Sequence, residues 1–303
     1  MPNVETREDL WGYVAEVRPD IERALEKFLP LVPSPAGTRF NDAVRDALFP
    51  GGKRLRPVLT LLGAELIGGT TAAALPAAAA VEFVHSSSLI FDDLPCMDNA
   101  QERRGQLALH RRHGEALAML VAVGLLNKSY ALVFEGQGGN SRRALEAHAE
   151  LVECVGTSGM VTGQTVDLSG DGDGVERPAN VESIRNLKTS ALIRLALRLG
   201  AILADANPSQ LAVLSTFSRL IGEAYQLSDD LLDLNEDAAL SIAAGGSLPR
   251  RSTSALDDGP SRTRRRVAGM VAEAKDVLAG EFGNSRPALL LAELADYIAS
   301  RKA

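Results

Sequence analysis

The sequence predicts an all-α protein, on three observations. Aromatic residues make up 4% of the chain and strand-like runs are scarce, whereas Ala and Leu, which favour helices, abound. Long apolar segments alternate with clusters of Gly and Pro. Several of those segments are apolar on most faces, which puts them inside a helical assembly rather than on its surface.

Five segments carry this reading in chain order. LRPVLTLLGAEL (55–66), AALPAAAAVEFVHSSSLIF (73–91), EALAMLVAVGLLNKSYALVF (115–134), SALIRLALRLGAILADA (190–206) and LAVLSTFSRLIGEAYQLSDDLLDL (211–234) each read as a helix. Breaks fall at LVPSPAGT near residue 32, GQGGN near 138, SGDGDG near 171 and the NP pair at 207. The 303 residues show no repeat period and no linker long enough to divide them, so one helical domain over 1–303 is expected.

Composition narrows the function. A net charge of −7 argues against nucleic acid as the main partner. Cys96 and Cys154 make neither a disulfide framework nor a CxxC pattern, which suits a reducing compartment. The opening MPNVETREDLW has no apolar signal core, and the longest uninterrupted apolar run, ALAMLVAVGLL at 116–126, is shorter than a membrane span. A cytoplasmic protein without a transmembrane segment is the expectation. Three patches take their plain readings. SGDGDG lacks the ligand spacing and final Glu of a calcium loop. RTRRR at 262–266 reads as a solvated helix start. HRRH offers only His110 and His113, which suit packing or hydrogen bonding better than a metal.

The chemistry concentrates in two acidic stretches. DDLPCMDNAQERRG (92–105) sets three aspartates and two arginines among apolar surroundings, where such groups are costly to bury without a ligand. Asp92 and Asp98 are six residues apart, which a regular helix does not align. A distortion at Pro95, which lacks an N–H, would return both to one side as a bulge. QLSDDLLDL carries Asp229, Asp230 and Asp233 on an apolar helix, with Asp229 and Asp233 on one face. Either cluster alone fits a helix end or a surface. Two on separate buried helices, with no His or Cys, suit hard divalent cations, above all Mg²⁺ shared with substrate phosphates. Basic residues stand where phosphates need them: Lys53, Arg54 and Arg56 after a Gly pair in GGKRLRP, Arg103 and Arg104 after the first cluster, and Lys188 with Thr189 at the head of another apolar helix. Helix-terminal solubility charge explains each singly and the set poorly.

Taken in order, GGKRLRP, DDLPCMD followed by RRG, GMVTGQTVDL, KTSALI, YQLSDDLLD and the ending LAELADYIASRK make the chain resemble a trans-polyprenyl diphosphate synthase over nearly its whole length. The match is to short-chain members, the bacterial and plant type of geranylgeranyl or farnesyl diphosphate synthase, whose first motif carries the same two-residue insertion. The resemblance implies the isoprenoid-synthase fold, helices round a deep apolar cavity, usually as a homodimer. It implies that an allylic diphosphate ionises and that the double bond of isopentenyl diphosphate attacks its C1. Carried over by position, Asp92, Asp98, Asp229 and Asp233 hold three Mg²⁺ ions on the allylic diphosphate, and Arg103, Lys188, Thr189 and Gln226 complete that site. Gly52, Lys53, Arg56, His85 and Arg104 match the isopentenyl diphosphate site. Gln164 and Asp167 line the cavity near the metals. Released diphosphate is the natural base for the last proton, so no dedicated side-chain base is expected.

Two departures stand out. Val123 occupies the Asp position of the family's GDALL, here AVGLL. The lysines that usually follow the second motif are missing from NEDAALSIAAGGSLPRRSTSALDD, where Arg250 and Arg251 are the available cations, and 235–262 is expected to be an active-site loop. The missing lysines leave open a non-catalytic partner subunit of another synthase, against which both acidic motifs are intact. A terpene cyclase would need an NSE-type second motif and has no use for an isopentenyl diphosphate site. Product length is read from the helix before the first motif. Ser88 and Ser87, four and five positions before Asp92, are small where the family uses a bulky aromatic floor, and Val84 lies about one turn deeper. This favours geranylgeranyl diphosphate (twenty carbons) over farnesyl diphosphate (fifteen).

Overall fold

The computed structural model describes residues 9–33, 37–49, 51–135, 141–168, 187–244 and 259–300, with the backbone alone at 141, 187–189 and 233–244. Twelve helices lie among them: α1 (Leu10–Phe28), α2 (Thr38–Leu48), α3 (Leu55–Leu66), α4 (Thr71–Asp92), α5 (Leu109–His113), α6 (Glu115–Leu132), α7 (Ser141–Val155), α8 (Met160–Leu168), α9 (Leu187–Leu203), α10 (Pro208–Ala244), α11 (Pro260–Phe282) and α12 (Arg286–Ser300). The five helices expected from sequence are α3, α4, α6, α9 and α10.

Local chemistry sets the helix ends. The Asp9 carboxylate accepts the Gly12 N–H at 2.7 Å to cap α1, and the Thr70 hydroxyl accepts the Ala73 N–H to cap α4. α4 is apolar on nearly every face: Ala77 to Val81, Phe83 and Val84 are all buried, so it fills the interior. It packs between α3 and α6, while α9 packs on α3, α7 and α10. α3 and α9 meet at backbone distance. A Cβ on Gly63 would stand 2.2 Å from the Leu197 carbonyl oxygen, and one on Gly200 would stand 2.0 Å from that of Thr60, so both positions require glycine. One apolar core runs from Leu10 of α1 to Ile298 of α12.

Three findings differ from the sequence reading or extend it. By length and composition α4 and α6 could each cross a membrane, but 67% of the apolar window in α4 is buried within the bundle, against 33% in α6. Residues 235–244, expected in a loop, continue α10 as helix, because NEDAALSIAA is rich in helix formers, and 260–262 already belong to α11. The rest of that expected loop, with Arg250 and Arg251, lies outside the described residues, as does SGDGDG. The chain also forms an unexpected ribbon, β1 (Glu102–Arg103) and β2 (Gln106–Leu107), paired Glu102 to Leu107 and Arg103 to Gln106.

The plain readings fare as expected. Arg262, Arg264, Arg265 and Arg266 are exposed at the head of α11. His113 pairs with Asp46 at 2.7 Å, and His110 is buried with neither ring nitrogen hydrogen-bonded. Both cysteines are free thiols, Cys96 exposed and Cys154 buried. Val123 points outward from α6, 55% exposed.

Candidate active site

The site is organised by the end of α4. Leu94 precedes Pro95, and a residue in that position resists helical conformation, so the helix stops at Asp92. The chain then curls back: the Met97 and Asn99 N–H groups donate to the Leu94 carbonyl, and the Asp98 N–H donates to the Asp92 carbonyl at 2.9 Å. Asp92 and Asp98 are thus brought to one turn, as expected. The device is a terminated helix with a tight loop, not the bulge that the sequence suggested. Asp92 is buried and Asp98 exposed.

Arg103 lies in β1 and Arg104 in the turn that follows, and the two take different neighbours. Arg104 (φ 56°) and Gly105 (φ 75°) form a two-residue turn with both φ positive, the geometry that matches strand twist. Arg103 donates to both carboxylate oxygens of buried Asp93, at 3.1 and 3.2 Å from Nε. Arg104 reaches instead to Gly52, where a Cβ would lie 3.5 Å from its guanidinium.

Two cavities flank α4. The first, about 300 Å³, is lined by Gly52, Lys53, Arg56, His85 and Arg104, the five residues matched by sequence to one diphosphate site. Arg56 Nη1 lies 3.2 Å from His85 Nε2, and both Arg56 Nε and His85 Nδ1 are buried without a hydrogen-bond partner. Burial, and then the charge of Arg56, Arg104, Arg103 and Arg54, holds the His85 imidazole well below its usual pKa, hence neutral. Burial also lowers the Arg56 and Arg104 pKa values, with the charge of Arg104 adding to the effect on Arg56 and those of Arg54 and Arg103 to the effect on Arg104. Unspent donors in a positively charged recess form a site for an anion.

Arg54 also lines this cavity, between Lys53 and Arg56 in sequence, but its donors are committed to protein groups. Its side chain is fully buried: Nη1 donates to Glu82 at 2.6 Å, Nε and Nη2 to Glu22 at 2.9 and 3.1 Å, and Nη2 to the Leu48 carbonyl at 2.7 Å. It is a structural ion pair that joins α1, α2 and α4 to the start of α3. Gly51 makes room for it, since a Cβ there would lie 2.0 Å from the guanidinium carbon.

The second cavity, also about 300 Å³, is apolar and opens beside Asp92. Val84, Ser87 and Ser88 line it, with Phe91, Leu126 and Met160. The Ser87 hydroxyl donates to the Ala122 carbonyl at 3.0 Å and that of Ser88 to the His85 carbonyl at 2.8 Å, so both donors are turned into backbone. Gln164 lines the same cavity, with Nε2 3.6 Å from the Met97 sulfur, whereas Asp167 is exposed on α8.

The second acidic cluster is on α10. Tyr225 of α10 lines the cationic cavity opposite His85 of α4. Asp229 is one helical turn beyond Tyr225, as Asp92 is two turns beyond His85. Gln226 Nε2 lies 3.5 Å from Asp230. Among the described residues no three Asp, Glu, His or Cys side chains gather closely enough to hold a metal ion by themselves. The side chains of Lys188, Thr189 and Asp233 lie outside the described residues; their backbones are helical. Sequence reasoning missed Asp93, Glu82, Tyr225 and Tyr297. The last three line the cationic cavity; Tyr225 and Tyr297 lie within YQLSDDLLD and LAELADYIASRK, where their own uncharged side chains did not single them out.

Comparison with known proteins decides the family. A model of the polyprenyl synthetase family matches residues 38–241, about two thirds of the chain, including both acidic stretches. The chain belongs to the polyprenyl synthetase family. It is a prenyltransferase with the all-α isoprenoid-synthase fold. It is 36% identical over 296 residues to a chloroplastic geranylgeranyl pyrophosphate synthase of Catharanthus roseus, covering 97% of this chain and 82% of the relative. It is also 36% identical over 304 residues to the large subunit 1 of a heterodimeric geranylgeranyl pyrophosphate synthase of Arabidopsis thaliana, covering 97% and 80%. Among solved structures, an FPP/GFPP synthase from Zymomonas mobilis superposes with a TM-score of 0.83 at 32% identity, covering 95% of this chain and 98% of that one.

Proposed function

We propose that this prenyltransferase condenses isopentenyl diphosphate with an allylic diphosphate, in a Mg²⁺-dependent reaction, to give geranylgeranyl diphosphate. The observation that carries the reading is the pair of cavities on α4, one cationic and one apolar with a carboxylate at its mouth. A reaction that joins a diphosphate-bearing nucleophile to a growing hydrocarbon needs one of each.

In this reading the cationic cavity holds isopentenyl diphosphate. Lys53, Arg56 and Arg104 neutralise its phosphates, and neutral His85 adds a hydrogen bond. Asp92, Asp98 and Asp229 are the residues that would hold Mg²⁺. Their hard oxygen donors suit it, and water and substrate phosphate would complete its shell. Bound there, Mg²⁺ supplies positive charge that stabilises the departing diphosphate. The allylic C1–O bond breaks with its electron pair leaving on diphosphate, the isopentenyl double bond forms the new C–C bond at C1, and a proton passes from C2 to the released diphosphate. The chain's contribution is to align the two substrates across the end of α4 and to keep water from the cation with the walls of the apolar cavity.

Ser87, Ser88 and Val84 support the twenty-carbon product: the wall nearest the carboxylates carries small side chains whose hydroxyl donors are already bonded. Pairing with a second copy of the chain is part of the same proposal. Met119, Leu120 and Val123 expose an apolar stripe on α6, and sedimentation of the purified protein checks it. The experiment for the product is mass analysis after incubation with Mg²⁺, isopentenyl diphosphate and each allylic diphosphate of five, ten and fifteen carbons. Geranylgeranyl diphosphate from all three supports the reading. Arrest at fifteen carbons refutes the chain-length part, and absence of any product refutes the whole.

A further inference from the structure

Lys53 is held unlike the other cations of its cavity. Arg54 beside it is neutralised by two glutamates. Lys53 is exposed on a glycine-led loop, and its contacts are aromatic. Its Nζ donates to the Tyr297 hydroxyl at 2.9 Å and stands 5.3 Å from the Tyr297 ring centre and 5.4 Å from that of Trp11. The two rings meet edge to face, centres 5.1 Å apart and planes at 82°, so the ammonium sits in the corner between them. Trp11 comes from the first helix and Tyr297 from the last, and Tyr297 also lines the cavity.

The choice of partner has a chemical consequence. A carboxylate would fix the lysine and cancel its charge. The Trp11 ring attracts the ammonium through its quadrupole and the Tyr297 hydroxyl accepts from it, and neither cancels its charge. One of three N–H donors is spent on Tyr297, and two remain for phosphate oxygens. A lysine side chain loses rotamer freedom when it is fixed. A corner that orders it beforehand removes much of that cost from binding.

We propose that Trp11 and Tyr297 are positioning residues that hold the Lys53 ammonium, charge intact, for the diphosphate of isopentenyl diphosphate. The proposal rests on the assignment of that cavity in the proposed function. Trp11 is the sole tryptophan of the sequence, so its emission reports on this corner directly.

The probe is inorganic pyrophosphate in the presence of a chelator, which removes any metal-dependent binding. Pyrophosphate should change Trp11 emission saturably in the wild type and not in Lys53→Met. Calorimetry should show Trp11→Leu and Tyr297→Leu each weakening pyrophosphate binding about two- to fivefold, the worth of one exposed cation–π contact. Trp11→Phe, which keeps a ring, should recover most of that loss, whereas Tyr297→Phe, which lacks the hydroxyl that accepts from Lys53, should not. In turnover, Trp11→Leu should raise the KM for isopentenyl diphosphate by the same factor, with kcat and the allylic KM kept. Wild-type pyrophosphate affinity in both leucine variants overturns the proposal. So does a loss spread equally over kcat and both KM values, or failure of Trp11→Phe to recover. If wild-type protein binds pyrophosphate through Lys53 and these rings yet forms no prenyl product, the proposed function falls and the clamp stands.

Discussion

Arg54 and Arg56 are two residues apart, and replacing each by methionine should have opposite effects. Arg54→Met leaves Glu82, 2% exposed, as an unpaired charge in the core, and removes the donors to Glu22 and the Leu48 carbonyl. Breaking a buried pair from one side costs about 3–5 kcal/mol. At roughly 2–4 °C per kcal/mol for a domain of 150–250 residues, the melting midpoint should fall by about 6–20 °C, with this longer chain toward the lower end. Arg56→Met removes a cation whose Nε has no partner and whose charge burial disfavours, so the midpoint should move by no more than the effect of about 1 kcal/mol. Pyrophosphate affinity should instead drop ten- to a hundredfold, the result of losing a charge-assisted contact of about 1.5–3 kcal/mol. Thermal denaturation by circular dichroism and calorimetric titration with pyrophosphate give both numbers for each variant. An Arg54→Met protein as stable as wild type, or an Arg56→Met protein that melts early but binds normally, would refute the division of labour drawn from the structure.

Three further outcomes are expected. His85 is held neutral in the folded protein, so as pH falls below its ordinary value of about 6.5 the unfolded chain takes up the proton first; wild-type stability should then decline relative to His85→Gln, with a constant gap above pH 7, as read from urea unfolding at several pH values. Ser88→Phe puts an aromatic into the apolar cavity one turn below Asp92, and mass analysis should find the main product shifted from twenty carbons toward fifteen; an unchanged product would put the floor elsewhere. Asp93→Asn weakens the tether of Arg103 and should raise the KM for the allylic diphosphate while leaving the helical circular dichroism unaltered.

Legibility differed by the range of the interaction. α3 was readable to the residue, because LRPVLTLLGAEL is apolar and bounded by a Gly pair and GG at 68–69. α4 was readable to within two residues at each end for the same reason. The return of Asp98 to Asp92 was foreseen in effect but not in form, since a proline after a helix gives the same sequence cue for a bulge as for a stop. The ribbon at 102–107 was invisible because two-residue strands have no period; its one cue is Arg104-Gly105 as a two-residue turn. Arg54 was read with the phosphate-facing cations because its partners, Glu22 and Glu82, lie 32 and 28 residues away. Tyr297 was missed for the same reason, 244 residues from Lys53. Part of the motif set converges: the three cations, the glycine and the histidine matched to the isopentenyl diphosphate site line one cavity, and all three chain-length positions line the other.

The central claim, that carboxylates from two helices serve one metal-dependent prenyl transfer, is tested most directly by single-turnover product formation from geranyl diphosphate and isopentenyl diphosphate in wild type, Asp92→Ala and Asp229→Ala, each with Mg²⁺ and with excess chelator. Wild type with Mg²⁺ should form a longer prenyl diphosphate, and the chelated enzyme and both variants should form none while keeping the wild-type helical spectrum. Product at the wild-type rate in chelator, or in either variant, would contradict the account.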